Sequence, residues 1–139
     1  MKVKDAMHKG VQWVAPDLPL PMIAQKMQKY DVGVIPVGEN DRLVGMVTDR
    51  DIALRGVADG KDPAKLTAKD VMTKSVVWCR DTDDLGDAAH LMESKKIRRL
   101  PVIDANKRMV GMISLGDVSH AASQKVAAEL TKAVSAHHR

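Results

Sequence analysis

The sequence is poor in aromatic residues and in cysteine. Among 139 residues it has no phenylalanine, one tyrosine and two tryptophans, but nine methionines. Because methionine is flexible and adapts to irregular gaps, we expect it to take core space that phenylalanine fills in other proteins. The single cysteine, Cys79, excludes an intramolecular disulfide and a zinc site built from cysteine ligands.

Long apolar runs and long segments of one charge are also missing. No apolar run approaches the ~20 residues that span a membrane, and the N-terminal MKVKDAMHKG lacks the apolar stretch of a signal peptide. The formal net charge is +4, and no long basic run is interleaved with aromatic residues. We therefore expect a cytoplasmic protein with no membrane or nucleic-acid partner, whose mild positive charge favours anionic ligands.

The sequence motifs of common catalytic sites are absent as well. There is no P-loop, no G-x-S-x-G and no H-E-x-x-H, and the five histidines are scattered. We expect no catalytic residue and no metal site, so the sequence predicts a protein that is not an enzyme.

The chain contains an internal duplication. VKDAM at 3–7 recurs as AKDVM at 68–72, and LVGMVTDRD at 43–51 recurs as MVGMISLGD at 109–117. The offset is 65 residues at first and 66 after one residue is inserted in the second copy. Such a repeat indicates two copies of one structural unit, which reach stability by burying a shared core.

Each copy has the same order of predicted elements. A helix with apolar residues at i, i+3, i+4 and i+7 follows a short apolar strand, and Asp17 and Asp83 are its predicted N-caps. The predicted strands are 11–14, 32–37 and 43–48 in the first copy and 76–79, 97–102 and 109–114 in the second. A second helix begins near Asp49 and near Gly116. The pattern predicts an α/β fold of two strand-helix-strand-strand-helix repeats related by a pseudo-twofold axis.

The domain bounds follow from the duplication. We place the first repeat at 1–60, a linker with Pro63 at 61–67 and the second repeat at 68–123. The residues 124–139 continue as a C-terminal helical extension without proline.

A doubled motif occurs where the last strand of each repeat meets its second helix. GMVTDRD at 45–51 and GMISLGD at 111–117 both read G-h-h-[TS]-x-x-D, where h is apolar, and each follows an h-P-V strand. Each repeat also opens with the pattern xDxM. This doubled set resembles the cystathionine-beta-synthase (CBS) domain family, in particular the stand-alone bacterial CBS-pair proteins of the hypoxic-response type.

The resemblance implies a regulatory module that binds AMP, ADP, ATP or a related adenosyl compound in clefts between the repeats and requires no cofactor. The motif aspartate would hold the ribose hydroxyls, and the threonine or serine would contact ribose or phosphate. One implied site consists of Thr48, Arg50, Asp51, Val76, Val77, Arg98, Arg99, Leu100 and Pro101. The other consists of Ser114, Asp117, Val11, Gln12, Val34, Ile35 and Pro36.

Two alternatives remain open at this point. The motif side chains also have the spacing of a capping box, in which the hydroxyl and the carboxylate satisfy the start of a helix. The module could also serve as a ligand-independent oligomerisation or partner-docking unit. The family implies a homodimer, and the module could also bind an unknown protein partner. The arginines Arg50, Arg98 and Arg99 would favour phosphate in the Asp51 site over the Asp117 site.

Overall fold

The computed structural model describes residues 1–137, and in the last helix it describes side chains through Lys125 together with Ala128. The chain divides into two compact units. The first-motif unit comprises Gly10–Val77 and Ala105–Met109, and the second-motif unit comprises Met1–Lys9, Trp78–Asp104 and the residues from Val110 onward. Residues 138 and 139 of the expected C-terminal extension lie outside the described residues.

Helices and strands alternate along the chain. In chain order they are α1 (Val3–Ala6), α2 (Leu20–Tyr30), β1 (Val34–Glu39), β2 (Arg42–Thr48), α3 (Asp49–Asp51), a π-helix (Ile52–Val57), a 3-10 turn (Pro63–Lys65), α4 (Ala68–Val71), β3 (Cys79–Arg80), α5 (Leu85–Lys95), β4 (Arg99–Ile103), β5 (Met109–Ser114) and α6 (Leu115–His137). This mixture confirms the predicted α/β class. Within the described residues, no helix is long and apolar enough to cross a bilayer.

The first-motif unit is built on an antiparallel pair of strands. β1 and β2 pair with Val34 opposite Thr48 and Pro36 opposite Met46, and the register shifts after Val37. One side of the pair carries the core, because alternate side chains of a strand point to opposite faces. The core residues are Val14, Leu20, Ile23, Met27, Ile35, Val37, Val47, Ala68 and Val71.

The second-motif unit repeats this arrangement with one more strand. Its sheet has the order β3-β4-β5, and β3 runs parallel to β4 with Cys79 opposite Val102. Its buried apolar residues are Val3, Cys79, Leu85, Ala88, Met92, Leu100, Val102, Ile103, Ile113 and Ala121. Met27 and Met92 occupy the same position in α2 and α5 and are both buried, as the scarcity of aromatic residues suggested.

The opening segment of the first repeat, 3–7, lies in the second-motif unit. The opening segment of the second repeat, 68–72, lies in the first-motif unit. Thr73, which follows the opening AKDVM of the second repeat, forms a bridge with Met46 in β2. His8, at the same point of the first repeat, forms a bridge with Met112 in β5. The backbone amide and carbonyl of His8 both bond to Met112, at 2.8 and 3.0 Å. The compact units therefore differ from the two sequence repeats, whose bounds stay a prediction.

Several element ends differ from the sequence prediction. The strand predicted at 11–14 is reduced to a single bridge between Val14 and Val37, and the one predicted at 76–79 is found at Cys79–Arg80. The predicted N-caps are wrong, because α2 and α5 begin after Pro19 and Asp84. The carboxylate of Asp83 instead accepts a hydrogen bond from the amide of Arg80 at 2.8 Å, which closes the turn before α5.

Candidate ligand-binding site

The first motif ends β2 and begins the helical segment that follows it. The amide of Thr48 donates to Oδ2 of Asp51 at 3.0 Å, and the amide of Asp51 donates to the Thr48 hydroxyl at 3.0 Å. These reciprocal bonds form the capping box that the spacing suggested. They hold the half-buried Asp51 carboxylate in one orientation at the end of the strand.

The second motif has the same geometry at the start of α6. The amide of Ser114 donates to Oδ2 of Asp117 at 2.9 Å, and the amide of Asp117 donates to the Ser114 hydroxyl at 3.0 Å. In both motifs the capping bonds use one carboxylate oxygen, Oδ2. Capping is therefore one role of these residues, and it leaves Oδ1 of each aspartate for another partner.

Each motif lies beside the h-P-V strand of its own repeat. In the first-motif unit the amide of Asp49 donates to the carbonyl of Gly33 at 3.0 Å. In the second-motif unit the amide of Leu115 donates to the carbonyl of Arg98 at 2.9 Å. Arg98 thus lies next to the helix start that carries Asp117, and Gly33 occupies the same place next to the other motif.

The remaining predicted site residues differ in their exposure. Exposed are Arg50, Arg98, Arg99 and Gln12; half-buried are Val11, Val34, Val76 and Val77; buried are Ile35, Pro36, Leu100 and Pro101. Ile35 and Leu100 have no accessible surface, so their side chains pack in the protein interior. A ligand beside these strands would contact neither Ile35 nor Leu100 without a local rearrangement.

The two implied sites each combine residues of both units. The structure brings Val34 opposite Thr48, and Arg98 next to the segment of Ser114 and Asp117. The resemblance had assigned Val34 to the Asp117 site and Arg98 to the Asp51 site. That assignment across the units stays a prediction.

Sequence reasoning missed His8, which it treated as one of several scattered histidines. Its Nε2 atom lies 2.8 Å from Oδ1 of Asp117, the oxygen that the capping box leaves open. The position directly after the xDxM opening was the available signal. The bridge partners Met46 and Met112 are equivalent residues of the duplicated motif, so His8 and Thr73 occupy equivalent places in the two units.

Other features of the structure do not point to a second reactive centre. Burial, together with the nearby Asp83 carboxylate, raises the pKa of the Cys79 thiol to about 12, so this thiol is unreactive near neutral pH. Among the described residues, no three acidic, histidine or cysteine side chains are grouped to hold a metal ion.

An open cavity of about 560 Å³ lies in the first-motif unit. It is lined by Ala15, Pro16, Asp17, Gly38, Glu39, Asn40, Val44, Lys69 and Met72, and by none of the predicted site residues.

Comparison with known sequences agrees with the doubled motif. YhcV of Bacillus subtilis, a CBS domain-containing protein, is 42% identical over 117 residues, which cover 84% of this chain and 82% of YhcV. Hypoxic response protein 1 of Mycobacterium tuberculosis is 33% identical over 132 residues, which cover 94% of this chain and 92% of that protein.

Solved structures of CBS-pair proteins share the fold. The structure of Hypoxic Response Protein I with two coordinated zinc ions matches with a TM-score of 0.79 at 34% identity, over 87% of this chain and 98% of that one. CBSX2 of Arabidopsis thaliana in complex with AMP matches with a TM-score of 0.79 at 28% identity, over 88% and 97%. The CBS pair of protein MJ0100, in complex with 5-methylthioadenosine and S-adenosyl-L-methionine, matches with a TM-score of 0.77 at 25% identity, over 87% and 98%.

The CBS domain family model matches this chain twice, at residues 3–56 and 68–124. Both matches contain a complete G-h-h-[TS]-x-x-D motif with its capping box. The chain therefore belongs to the CBS domain family and carries two CBS repeats.

Proposed function

We propose that the chain is a regulatory module that binds an adenine nucleotide or a related adenosyl compound at Asp51 and at Asp117. AMP, ADP and ATP are the proposed ligands, and no separate cofactor or catalytic step is involved. Ligand binding would favour one conformation or assembly of the module, and a ligand shifts such an equilibrium only by its differential affinity for the two states.

The observation that carries this proposal is the orientation of the two motif carboxylates. Each aspartate is half-buried, and Oδ2 accepts a bond from the amide three residues earlier, at 3.0 Å for Asp51 and 2.9 Å for Asp117. A carboxylate fixed in this way loses little side-chain entropy when it accepts hydrogen bonds from the two hydroxyls of a ribose. The solved relatives with AMP, 5-methylthioadenosine and S-adenosyl-L-methionine all hold ligands that contain a ribose or its derivative.

The exposed arginines favour ligands that carry phosphate. Arg50 follows Thr48 closely in the first motif, and Arg98 lies beside the start of α6 in the second-motif unit. Arginine binds phosphate oxygens through a planar fork of donors, and such charge-assisted bonds contribute about 1.5–3 kcal/mol when well formed. We therefore expect AMP to bind more tightly than adenosine.

A thermal-shift titration with AMP tests the proposal on the wild type and on the Asp51→Asn, Asp117→Asn and double variants. Asparagine can still accept the capping bond with its carbonyl oxygen, so the fold is preserved while the charge is removed. At ~100 times the dissociation constant, a single site should add about 2.7 kcal/mol to the free energy of unfolding. We expect each single variant to lose part of this stabilisation and the double variant to lose nearly all of it.

The matched control is Asp59→Asn, which removes an exposed carboxylate outside both motifs. It should bind AMP like the wild type. Retention of the full AMP shift in the double variant would show that the motif aspartates are not the binding groups. A wild type that responds to none of AMP, ADP, ATP, 5-methylthioadenosine and S-adenosyl-L-methionine would rule out the proposed ligand class.

The alternative function, ligand-independent oligomerisation or partner docking, is favoured by exposed apolar side chains in the first-motif unit. Met22 and Tyr30 lie on α2, and Leu54 and Val57 lie in the π-helix, where Leu54 is 48% and Val57 58% exposed. We expect a homodimer of the 15.2 kDa chain. Sedimentation of the same samples with and without AMP separates the two functions, because a docking unit would form the same assembly in both.

A further inference from the structure

The imidazole of His8 contacts the carboxylate of Asp117 at the second motif. The Nε2 atom of His8 lies 2.8 Å from Oδ1 of Asp117. The His8 side chain is 76% exposed, whereas that of Asp117 is only 13% exposed. The histidine therefore approaches a largely enclosed carboxylate from the solvent side.

The equivalent carboxylate in the first-motif unit has no such partner. Thr73 stands where the second-motif unit has His8, with the same backbone bridge to the motif strand. Among the described residues Asp51 forms no ion pair. Its carboxylate accepts a hydrogen bond at Oδ2 from the amide of Thr48. The two motifs thus share the capping box and differ in the occupancy of Oδ1.

We propose that His8 is a specificity-determining residue of the Asp117 site, where it competes with the hydroxyl groups of a ribose for Oδ1. This inference rests on the proposed function of Asp117 as a ribose-binding group. Oδ2 already accepts the bond from the Ser114 amide at 2.9 Å, so Oδ1 is the oxygen left for a ribose, and the imidazole of His8 lies against it. The exposed His8 side chain can then rotate into solvent without disturbing the core.

The size of this competition follows from the exposure of the pair. Contacts between exposed polar side chains are weak, and a contact to a largely buried carboxylate contributes more. We expect removal of His8 to raise the affinity of the Asp117 site for a ribonucleoside about fivefold, which corresponds to ~1 kcal/mol. The Asp51 site should not change.

The charged residues around His8 leave Asp117 as its acidic partner among the described residues. Strand β5, against which His8 lies, has the sequence MVGMIS and carries no charged residue. The described charged or titratable residues of α1, α5 and α6 are Lys4, Asp5, Asp87, His90, Glu93, Lys95, Asp117, His120 and Lys125. Of the acidic ones, only Asp117 is within ion-pair distance of His8, so the imidazole competes with a ribose at this one carboxylate.

The decisive measurement is calorimetric titration with adenosine. Adenosine carries no phosphate, so the arginines do not contribute to its affinity. The background is Asp51→Asn, which leaves the Asp117 site as the one under test. His8→Thr installs the residue of the other unit, and His8→Gln keeps a hydrogen-bond donor that can reach Oδ1. We expect His8→Thr to bind adenosine about fivefold more tightly than its parent and His8→Gln to bind like its parent.

Lys9→Thr is the matched control, since it removes a neighbouring exposed cation that forms no described ion pair with Asp117. It should leave the affinity unchanged. If His8→Thr binds adenosine no more tightly than its Asp51→Asn parent while the wild type still binds AMP, the competition is disproved and the proposed function stands. If adenosine and AMP bind neither the wild type nor any variant, the proposed function is wrong and this inference falls with it.

Discussion

In the first-motif unit Thr73 bridges to Met46, and in the second-motif unit His8 bridges to Met112. The backbone bonds of the two bridges are nearly the same, between 2.8 and 3.0 Å. Among the described residues Asp51, in the unit of Thr73, has no ion-pair partner, whereas the Nε2 atom of His8 lies 2.8 Å from Oδ1 of Asp117. A duplicated backbone can therefore keep its hydrogen bonds while one side chain makes its two carboxylates chemically different.

The helices that follow the two motifs also differ. After Asp51 the chain forms a π-helix over Ile52–Val57, in which the amide of Ala58 donates to the carbonyl of Ala53 at 3.0 Å. After Asp117 the chain continues in the regular helix α6. The first-motif unit brings Gly56 against Leu20, where a Cβ would lie 2.6 Å from Cδ2 of that leucine. The capping box is thus common to both units, and the path of the following helix is not.

The largest expected effect concerns Cys79, which stands where the first-motif unit has Val14. Burial raises the pKa of this thiol from 9.0 to about 12, which lowers its thiolate fraction near pH 8 by about a thousandfold. Iodoacetamide should therefore modify the native protein about a thousandfold more slowly than the chain unfolded in denaturant. Cys79→Val, which makes the two units alike, should retain the native melting temperature within a few degrees. Rapid labelling under native conditions would show that β3 opens readily.

The next effect concerns the glycines that begin the two motifs. A Cβ on Gly111 would lie 2.6 Å from the backbone oxygen of His8, whereas a Cβ on Gly45 would meet the flexible Met72 sulfur at 2.5 Å and backbone only at 3.1 Å. A backbone contact is harder to relieve than a contact with a mobile side chain. We expect Gly111→Ala to destabilise the fold by about 1–3 kcal/mol and Gly45→Ala by less, as measured by urea denaturation. Gly86→Ala, with no atom near its added Cβ, is the control.

The smallest effect concerns a contact that Arg55 makes in the first-motif unit. Arg55 donates from Nη1 to the carbonyls of Val71 and Met72, both at 3.2 Å, and Ala121 stands at the equivalent place in the other repeat. Arg55→Ala should lower the free energy of unfolding by about 1 kcal/mol. Hydrogen exchange should then quicken at the amide of Thr73 and stay unchanged at that of His8. Equal changes at both amides would mean that the two opening segments are not held independently.

The local elements were predictable because their signals lie within short stretches of sequence. Strand β5 occupies the predicted residues 109–114, and the helix after the first motif begins at Asp49 as predicted. The N-caps were not predictable in this way. Asp83 has the right chemistry for a cap, but its carboxylate bonds to the amide of Arg80, so α5 begins one residue later with no side-chain cap at Asp84. Competition between nearby backbone donors for one carboxylate is decided by the turn that the chain adopts.

The sequence by itself determined the duplication, the family and the pair of motif carboxylates. These follow from patterns that recur at a fixed offset, and from a capping spacing that spans one turn of helix. Only the tertiary structure decided which opening segment lies beside which motif, and hence that His8 reaches Asp117. Contacts between residues so far apart in the chain leave no local pattern. They depend on how the buried side chains of separate elements pack together, so patterns within short stretches of the sequence do not predict them.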